Sequence, residues 1–440
     1  PELTIPDESN TQDRRELEKR IAQMEADLPN QFSGDSTFTN SLRTWFEAKA
    51  SEVVSWETLR PQTMVANMAK LELRDDDSLF AQGDQTKRDV YDLSFEGDWS
   101  GVTAFRIEAL PDPNLPRSGP GRAYYEGPKG DFFLSELEIE LNEQAIKLTD
   151  ASEDYGKLGI GGGNGGAAQA IDGNEVTGWS TSGREGKPHQ AVFQAHAPLQ
   201  GAGTLRLRMI FNRHYPAALG RFRIAITRAD RPSHAQPFST EEELLFHTPY
   251  QNLTDSDHLR LKRLFANQTP LLADARAKIE KLRQQVPEAP TTLVFEERPL
   301  DLPRITHRHH RGEFLQPKET VSPAIPALFP GLPESAPANR LGFAEWLVSD
   351  RNPLSARVQV NRDWAAFFGR GLVRTTEDFG YQGASPSHPK LLDWLAVDFS
   401  RHGWSRKRLH RAIVSSAVYQ QASPLNPTLL ERDPENLHLA

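Results

Sequence analysis

"AIDGNEVTGWST", residues 170–181, follows a glycine-rich run and precedes a stretch with strand character. A polar Asp-Gly turn that carries one tryptophan fits between two strands of a β-domain. The neighbouring runs agree: "DVYDLSF", "VTAFRIEAL", "FFLSELEIELN", "HQAVFQA", "TLRLRMIF" and "RFRIAITRA" are short alternating or β-branched segments divided by Gly, Pro, Asn and Asp. Alternation sends every second side chain to one face, so these runs predict an all-β sandwich over residues 36–235.

Helical periodicity takes over on both sides. In the first helical arm, residues 11–30, Leu17, Ile21, Met24 and Leu28 recur at steps of four, three and four. Residues 238–286 are helical again, opening on "STEEELL", where Ser239 or Thr240 can cap. Their last helix repeats the narrow seam with Leu272, Ala275, Ile279, Leu282 and Val286. Two such seams predict an antiparallel hairpin with the sandwich inserted between its arms. A Pro-rich connector, 287–337, reads as extended chain, and residues 338–440 read as four amphipathic helices. One of these begins with Asn352 as cap and Pro353 at the first helical position, and Gly369 ends it. The expected fold class is therefore α+β and multidomain: a jelly-roll-like sandwich inserted in a helical hairpin, followed by a compact all-α domain.

Composition narrows the functions. At 440 residues the chain is long for one hydrophobic core. Its 51 basic and 60 acidic residues leave a formal charge of −9, which argues against nucleic acid or an anionic membrane as the main partner. With no cysteine it has no disulfide, thiolate nucleophile or C-x-x-C-H haem attachment. No apolar run reaches the roughly 18 residues of a membrane span. The first residues carry neither an initiator methionine nor a signal peptide, so we expect a piece of a longer protein.

The stretch from "RLGFAEWLVSDRNPLSARVQVNRDWAAFFGRG" through "HRAIVSSAVYQQAS" resembles the planctomycete-type PSD domain of unknown function. "TTLVFEERP", "THRHHRGEFLQP", "LPRSGPGRA" and "AVFQAHAPL" look like the connecting region of the same proteins. The resemblance implies a large exported protein, periplasmic or at the cell surface, in which this domain follows a second uncharacterised domain and often a cytochrome c module. It brings no catalytic residues.

"AIDGNEVTGWST" itself resembles the A-x-D-G-x-x-x-T-x-W loop of discoidin-like, galactose-binding-type sandwiches, which wraps a structural calcium. Asp172 supplies a hard carboxylate oxygen, Gly173 permits a tight reversal, and Asn174 and Thr177 add oxygens. Trp179 packs beneath. "LSELEIE" looks like the closing strand of such domains, with Glu136 completing the metal shell and Glu138 as the fallback. That strand precedes the loop here, which implies a circular permutation. On the residues alone, a plain Asp-Gly turn over a buried tryptophan remains the alternative.

Discoidin-like domains usually bind glycans through loops at one rim, so the resemblance points to Arg122, Tyr124 and Tyr125 in "GRAYYEGPKGDF" and to Asn212, Arg213, His214 and Tyr215 in "FNRHYPAALGRF". Other candidates are weaker. His307 and His309 project to the same side of an extended chain and could ligate a metal with His310, but Arg308 and Arg311 repel a cation. Arg370 and Arg374 lie in a glycine-rich loop that could cradle a phosphate or a carboxylate but lacks Walker spacing; the alternative is an ordered loop in which Arg370 or Arg374 pairs with Glu377 or Asp378. Asp363, Asp378 and Asp393 are candidate acids or bases, and "SHP" at 387–389 reads as a helix start.

Three functions follow from these readings. The first is a carbohydrate-binding and scaffolding segment with structural calcium and no haem of its own. The second is part of an enzyme, polysaccharide-active or cytochrome c-coupled, completed by further domains. The third is a structural assembly protein.

Overall fold

The computed structural model describes residues 2–5, 8–31, 36–125, 129–159, 165–230, 232–287, 291–295, 297, 303–422 and 427–434. Two compact units, Pro1–Pro303 and Arg304–Ala440, divide the chain inside the Pro-rich connector.

The first unit opens with strand β1 (Glu2–Thr4) and helices α1 (Glu8–Asp27) and α2 (Ser36–Glu52). Twelve described strands follow: β2 (Glu57–Thr58), β3 (Thr63–Ala66), β4 (Ala69–Leu73), β5 (Leu79–Gly83), β6 (Arg88–Asp98), β7 (Ala104–Ala109), β8 (Glu136–Leu141), β9 (Gln144–Ala145), β10 (Leu148–Glu153), β11 (His189–Ala195), β12 (Ala202–Asn212) and β13 (Arg221–Thr227). Helices α3 (Thr240–Phe246), α4 (Asp255–Gln268) and α5 (Ala273–Arg283) come next, and strand β14 (Thr291–Leu293) pairs back on β1.

The strands form two antiparallel sheets, one ordered β10-β11-β7-β13-β5-β4 with β2 also on β13, the other β3-β6-β12-β8-β9. One core lies between them. Tyr91, Leu93 and Phe95 of β6 and Leu205, Leu207, Met209 and Phe211 of β12 share it with Phe105 and Ile107 of β7 and Phe222, Ile224 and Ile226 of β13. These are the alternate residues of each strand, so the period-two pattern sets which face is buried. β6 and β12 stay in register from Asn212 opposite Arg88 to Ala202 opposite Asp98.

On the seven-stranded sheet the outward-facing residues are covered as well. Arg106 is fully buried: its guanidinium binds Glu243 of α3 at 2.6 Å and the Thr240 hydroxyl at 3.0 Å, and it lies 4.6 Å from the Trp56 ring centroid. Ser239 caps α3 in a reciprocal box with Glu242. The helices have their own core of Ile21, Leu28, Phe38, Leu42, Phe46, Phe246, Leu261, Phe265 and Ile279. α1 packs against α5, joined also by Glu25 and Arg283, as the matching apolar seams predict. Residues 36–52, expected at the start of the sandwich, are instead α2, and Phe38, Leu42 and Phe46 at steps of four belong to this helical core.

The second unit carries a hairpin of β15 (Thr306–His310) and β16 (Glu313–Val321), then α6 (Arg340–Leu347), α7 (Ser355–Phe368), α8 (Pro389–Arg401), α9 (Arg406–Val414) and α10 (Pro427–Arg432). The connector is therefore not extended throughout: Arg311 and Gly312, both at positive φ, turn it back on itself. α7 starts at Ser355, two residues later than Pro353 suggests, because Asn352 Oδ1 accepts the N–H groups of Leu354 and Ser355. Gly369 closes it at φ +75°. Val360, Trp364, Leu392, Leu395, Phe399, Leu409 and Ile413 make this unit's core.

Candidate functional site

The 170–181 loop folds over the start of β8. Asp172 Oδ1 accepts the Asn174 N–H at 2.9 Å, and the Thr177 hydroxyl lies 2.8 Å from Asp172 Oδ2 and 2.8 Å from the Asn174 carbonyl. Gly173 turns the chain at φ +78°, as expected. The Asn174 N–H also reaches Glu136 Oε1 at 2.7 Å, which binds the loop to the strand. Beneath it Trp179 is fully buried, edge-on to Phe132 at 4.9 Å, with its indole N–H on the Tyr155 carbonyl at 3.0 Å. Trp179 and Leu134 exchange backbone hydrogen bonds. A side chain at Gly178 would put Cβ 2.3 Å from the Leu134 carbonyl, so that close approach requires glycine.

Glu136, not the fallback Glu138, meets the loop. Glu138 faces solvent in an ion pair with Arg208 at 2.5 Å. Burial raises the Glu136 carboxyl to about 7; the adjacent Asp172 carboxylate pushes the same way, and the N–H groups of Asn174 and Gly173 oppose. The neighbouring Glu175 differs: Arg88 binds it through two hydrogen bonds of 2.8 and 2.7 Å and holds its carboxyl below the usual range. Among the described residues no cation faces these two carboxylates, a pairing that a hard metal ion completed by carbonyl oxygens would fit. Among the described residues no group of three His, Cys, Asp or Glu side chains is placed to hold a metal ion.

The two rim stretches do converge, but not all of their side chains are available. Tyr125 stands edge-on to His214 at 5.4 Å and tilts against Tyr215 at 5.1 Å. His214 is exposed and Tyr124 and Tyr125 are half-buried. Tyr215 is buried with Phe133, Ala123 and Ala217. Arg122 is buried too, donating to the carbonyls of Gly83 and Asp84. Arg213 lies 4.4 Å from the Phe133 ring centroid, and Asn212 donates to Glu175 at 2.8 Å. Asn212 thus ties the rim to the 170–181 loop.

In the second unit His307 bonds the Lys318 carbonyl through Nδ1 at 2.9 Å within the β15–β16 hairpin. Glu377 pairs with Arg362, Asp378 Oδ1 caps the N–H of Gly380, and Asp393 pairs with Arg357. Asp363 is buried against Arg406 at 2.6 Å, Gln359 at 3.1 Å and His410 at 3.3 Å. Ser387 gives its hydroxyl proton to the Leu372 carbonyl at 3.2 Å, so its contact with His388 is part of a helix start. Asn361 bonds both N–H and C=O of Val373 and fixes the loop after α7.

One cluster was missed in the sequence. A cleft of about 1310 Å³ lies between the seven-stranded sheet and the helices of the first unit. On its wall His189 Nδ1 meets Asp154 Oδ2 at 2.7 Å, both side chains buried. Nothing in "DASEDYG" or "GREGKPHQ" marks that pair locally, because only the β10–β11 register brings the two together.

Residues 339–440 match the family model PSD1, described as "Protein of unknown function (DUF1553)". The match supports the resemblance for that segment and carries no activity with it. No curated protein and no solved structure matches the chain. No helix among the described residues is long and apolar enough to cross a membrane.

Proposed function

We propose that this chain is a carbohydrate-binding and scaffolding segment of a large exported multidomain protein, periplasmic or at the cell surface. Its two sheets form a discoidin-like, jelly-roll-like sandwich that displays a glycan-binding rim. The observation that carries this reading is the meeting of Tyr125 and His214, from two distant loops, with the imidazole exposed. Sugar C–H faces dock on aromatic rings while their hydroxyls bond to imidazole and amide groups. Tyr124, Tyr125 and His214 carry the contact, whereas Arg122, Asn212, Arg213 and Tyr215 hold the loops in place.

Calcium belongs at the neighbouring loop, held by the carboxylates of Glu136 and Asp172 with oxygens from Asn174 and Thr177. It neutralises two facing carboxylates and fixes the loop; it does no chemistry there. The scaffolding half draws support from the second unit, where α8 exposes Trp394 and Val397 and α6 exposes Leu341 and Phe343, apolar surface suited to neighbouring domains such as a cytochrome c module.

The test is a glycan array probed with the whole chain and with the Tyr125→Ala/His214→Ala double variant. Binding that disappears in the variant supports the rim. Absence of binding, or binding the variant leaves intact, removes it.

A further inference from the structure

The lining of the first unit's cleft carries as many acidic as basic side chains, yet among the described residues some of its cations stand outside the ion pairs. Arg184 and Lys187 sit on its wall, in the loop between the 170–181 turn and β11. Glu25 and Glu280, whose charges act on Lys187, both bind Arg283, Glu280 at 3.3 Å. Among the described residues Arg184 and Lys187 have no carboxylate within ion-pair distance; Arg184 lies 4.0 Å from the Tyr155 ring centroid instead. Burial, then the charges of Arg283 and Arg184, hold the Lys187 ammonium below the usual lysine range.

Beside these cations is an unpartnered polar atom. The His189 side chain is 3% exposed; Nδ1 is committed to Asp154 and Nε2 is buried with no hydrogen-bond partner. The ring of Tyr155 lies 5.2 Å from the imidazole as well as 4.0 Å from the Arg184 guanidinium, so it links the two. Burying an atom such as His189 Nε2 without a partner is costly, which makes its place in a residue of the cleft wall informative. Gly183 and Gly186, at φ +84° and +78°, flank Arg184 and give its loop freedom to adjust.

We propose that this cleft binds a ligand bearing an oxyanion, a carboxylate or a sulfate group, with Arg184 and Lys187 as its cations and His189 Nε2 as the buried polar contact beside them. Asp154 orients the imidazole from behind. Guanidinium and ammonium groups that lack a counter-ion lose their mutual repulsion when an oxyanion enters. The site is separate from the aromatic rim and does not depend on the rim binding glycans.

Titration calorimetry of the whole chain with sodium sulfate, sodium glucuronate and uncharged glucose tests it. Sulfate or glucuronate binds and glucose does not, and whichever anion binds more tightly distinguishes a tetrahedral sulfate from a planar carboxylate. Arg184→Gln/Lys187→Gln, checked for folding by circular dichroism, weakens anion binding at least about tenfold. His189→Gln weakens it similarly, with circular dichroism confirming that this variant is folded. Absence of anion binding, equal binding of glucose, or anion binding unchanged in the Arg184/Lys187 variant overturns the proposal.

Discussion

Two acidic clusters in the first unit have opposite electrostatic designs. Glu243 and Glu108 lie under α3 against Arg106, with Arg223 3.3 Å from Glu108, so every buried carboxylate there has a guanidinium. Glu136 and Asp172 face each other with backbone N–H groups and a hydroxyl but, among the described residues, no cation. Burial raises the carboxyls of both Glu243 and Glu136. Arg106 pulls against burial at Glu243, whereas at Glu136 the neighbouring carboxylate adds to it. A protein can close an acidic cluster with its own arginines or leave it without them, and among the described residues this unit does one of each.

The largest effects should come from breaking what lies beneath each cluster. Trp179→Ala removes a fully buried indole below the 170–181 loop and should cost about 3–5 kcal/mol in urea unfolding. Glu243→Ala leaves Arg106 buried without its closest acid and should cost about 3 kcal/mol in the same measurement. Either variant unfolding at the wild-type midpoint would mean the cluster is not built as described.

Glu136→Gln should act with the opposite sign. The folded carboxyl is raised to about 7 from the ordinary 4.5, so its contribution to stability is full below 4.5 and is lost as pH rises through 7. In a chelator, the wild-type melting temperature should therefore fall between those pH values more than that of the glutamine variant, which has no proton to lose. Parallel pH profiles would contradict the uncompensated pair. Arg88→Ala, at a surface ion pair with Glu175, should change stability by less than about 1 kcal/mol and make the 170–181 loop easier to cleave in limited proteolysis.

The contrast also explains what could be read from the sequence. "TLRLRMIF" delivers Leu205, Leu207, Met209 and Phe211 to the core because alternation is local. Asp172 and Thr177 bond each other across the Gly173 turn, above the buried Trp179, because turn chemistry is local too. Burial of Arg106 was illegible: alternation assigns it to the outer face, and its cover of Trp56, Thr240 and Glu243 comes from distant segments. The His189–Asp154 pair depends in the same way on strand register. Helix α2 did carry a signal in Phe38, Leu42 and Phe46, with threonines between them that also suit a strand. At the rim, composition identified residues suited to sugars, but burial turned Arg122 and Tyr215 into supports.

The central claim is that the Glu136–Asp172 pair is completed by calcium, and thermal unfolding of the whole chain at pH above 7, in calcium and in chelator, tests it most directly. Calcium at about 100 times its dissociation constant should stabilise the chain by about 2.7 kcal/mol, and Asp172→Asn and Glu136→Gln should abolish that gain. A melting temperature that is the same in calcium and in chelator would contradict it.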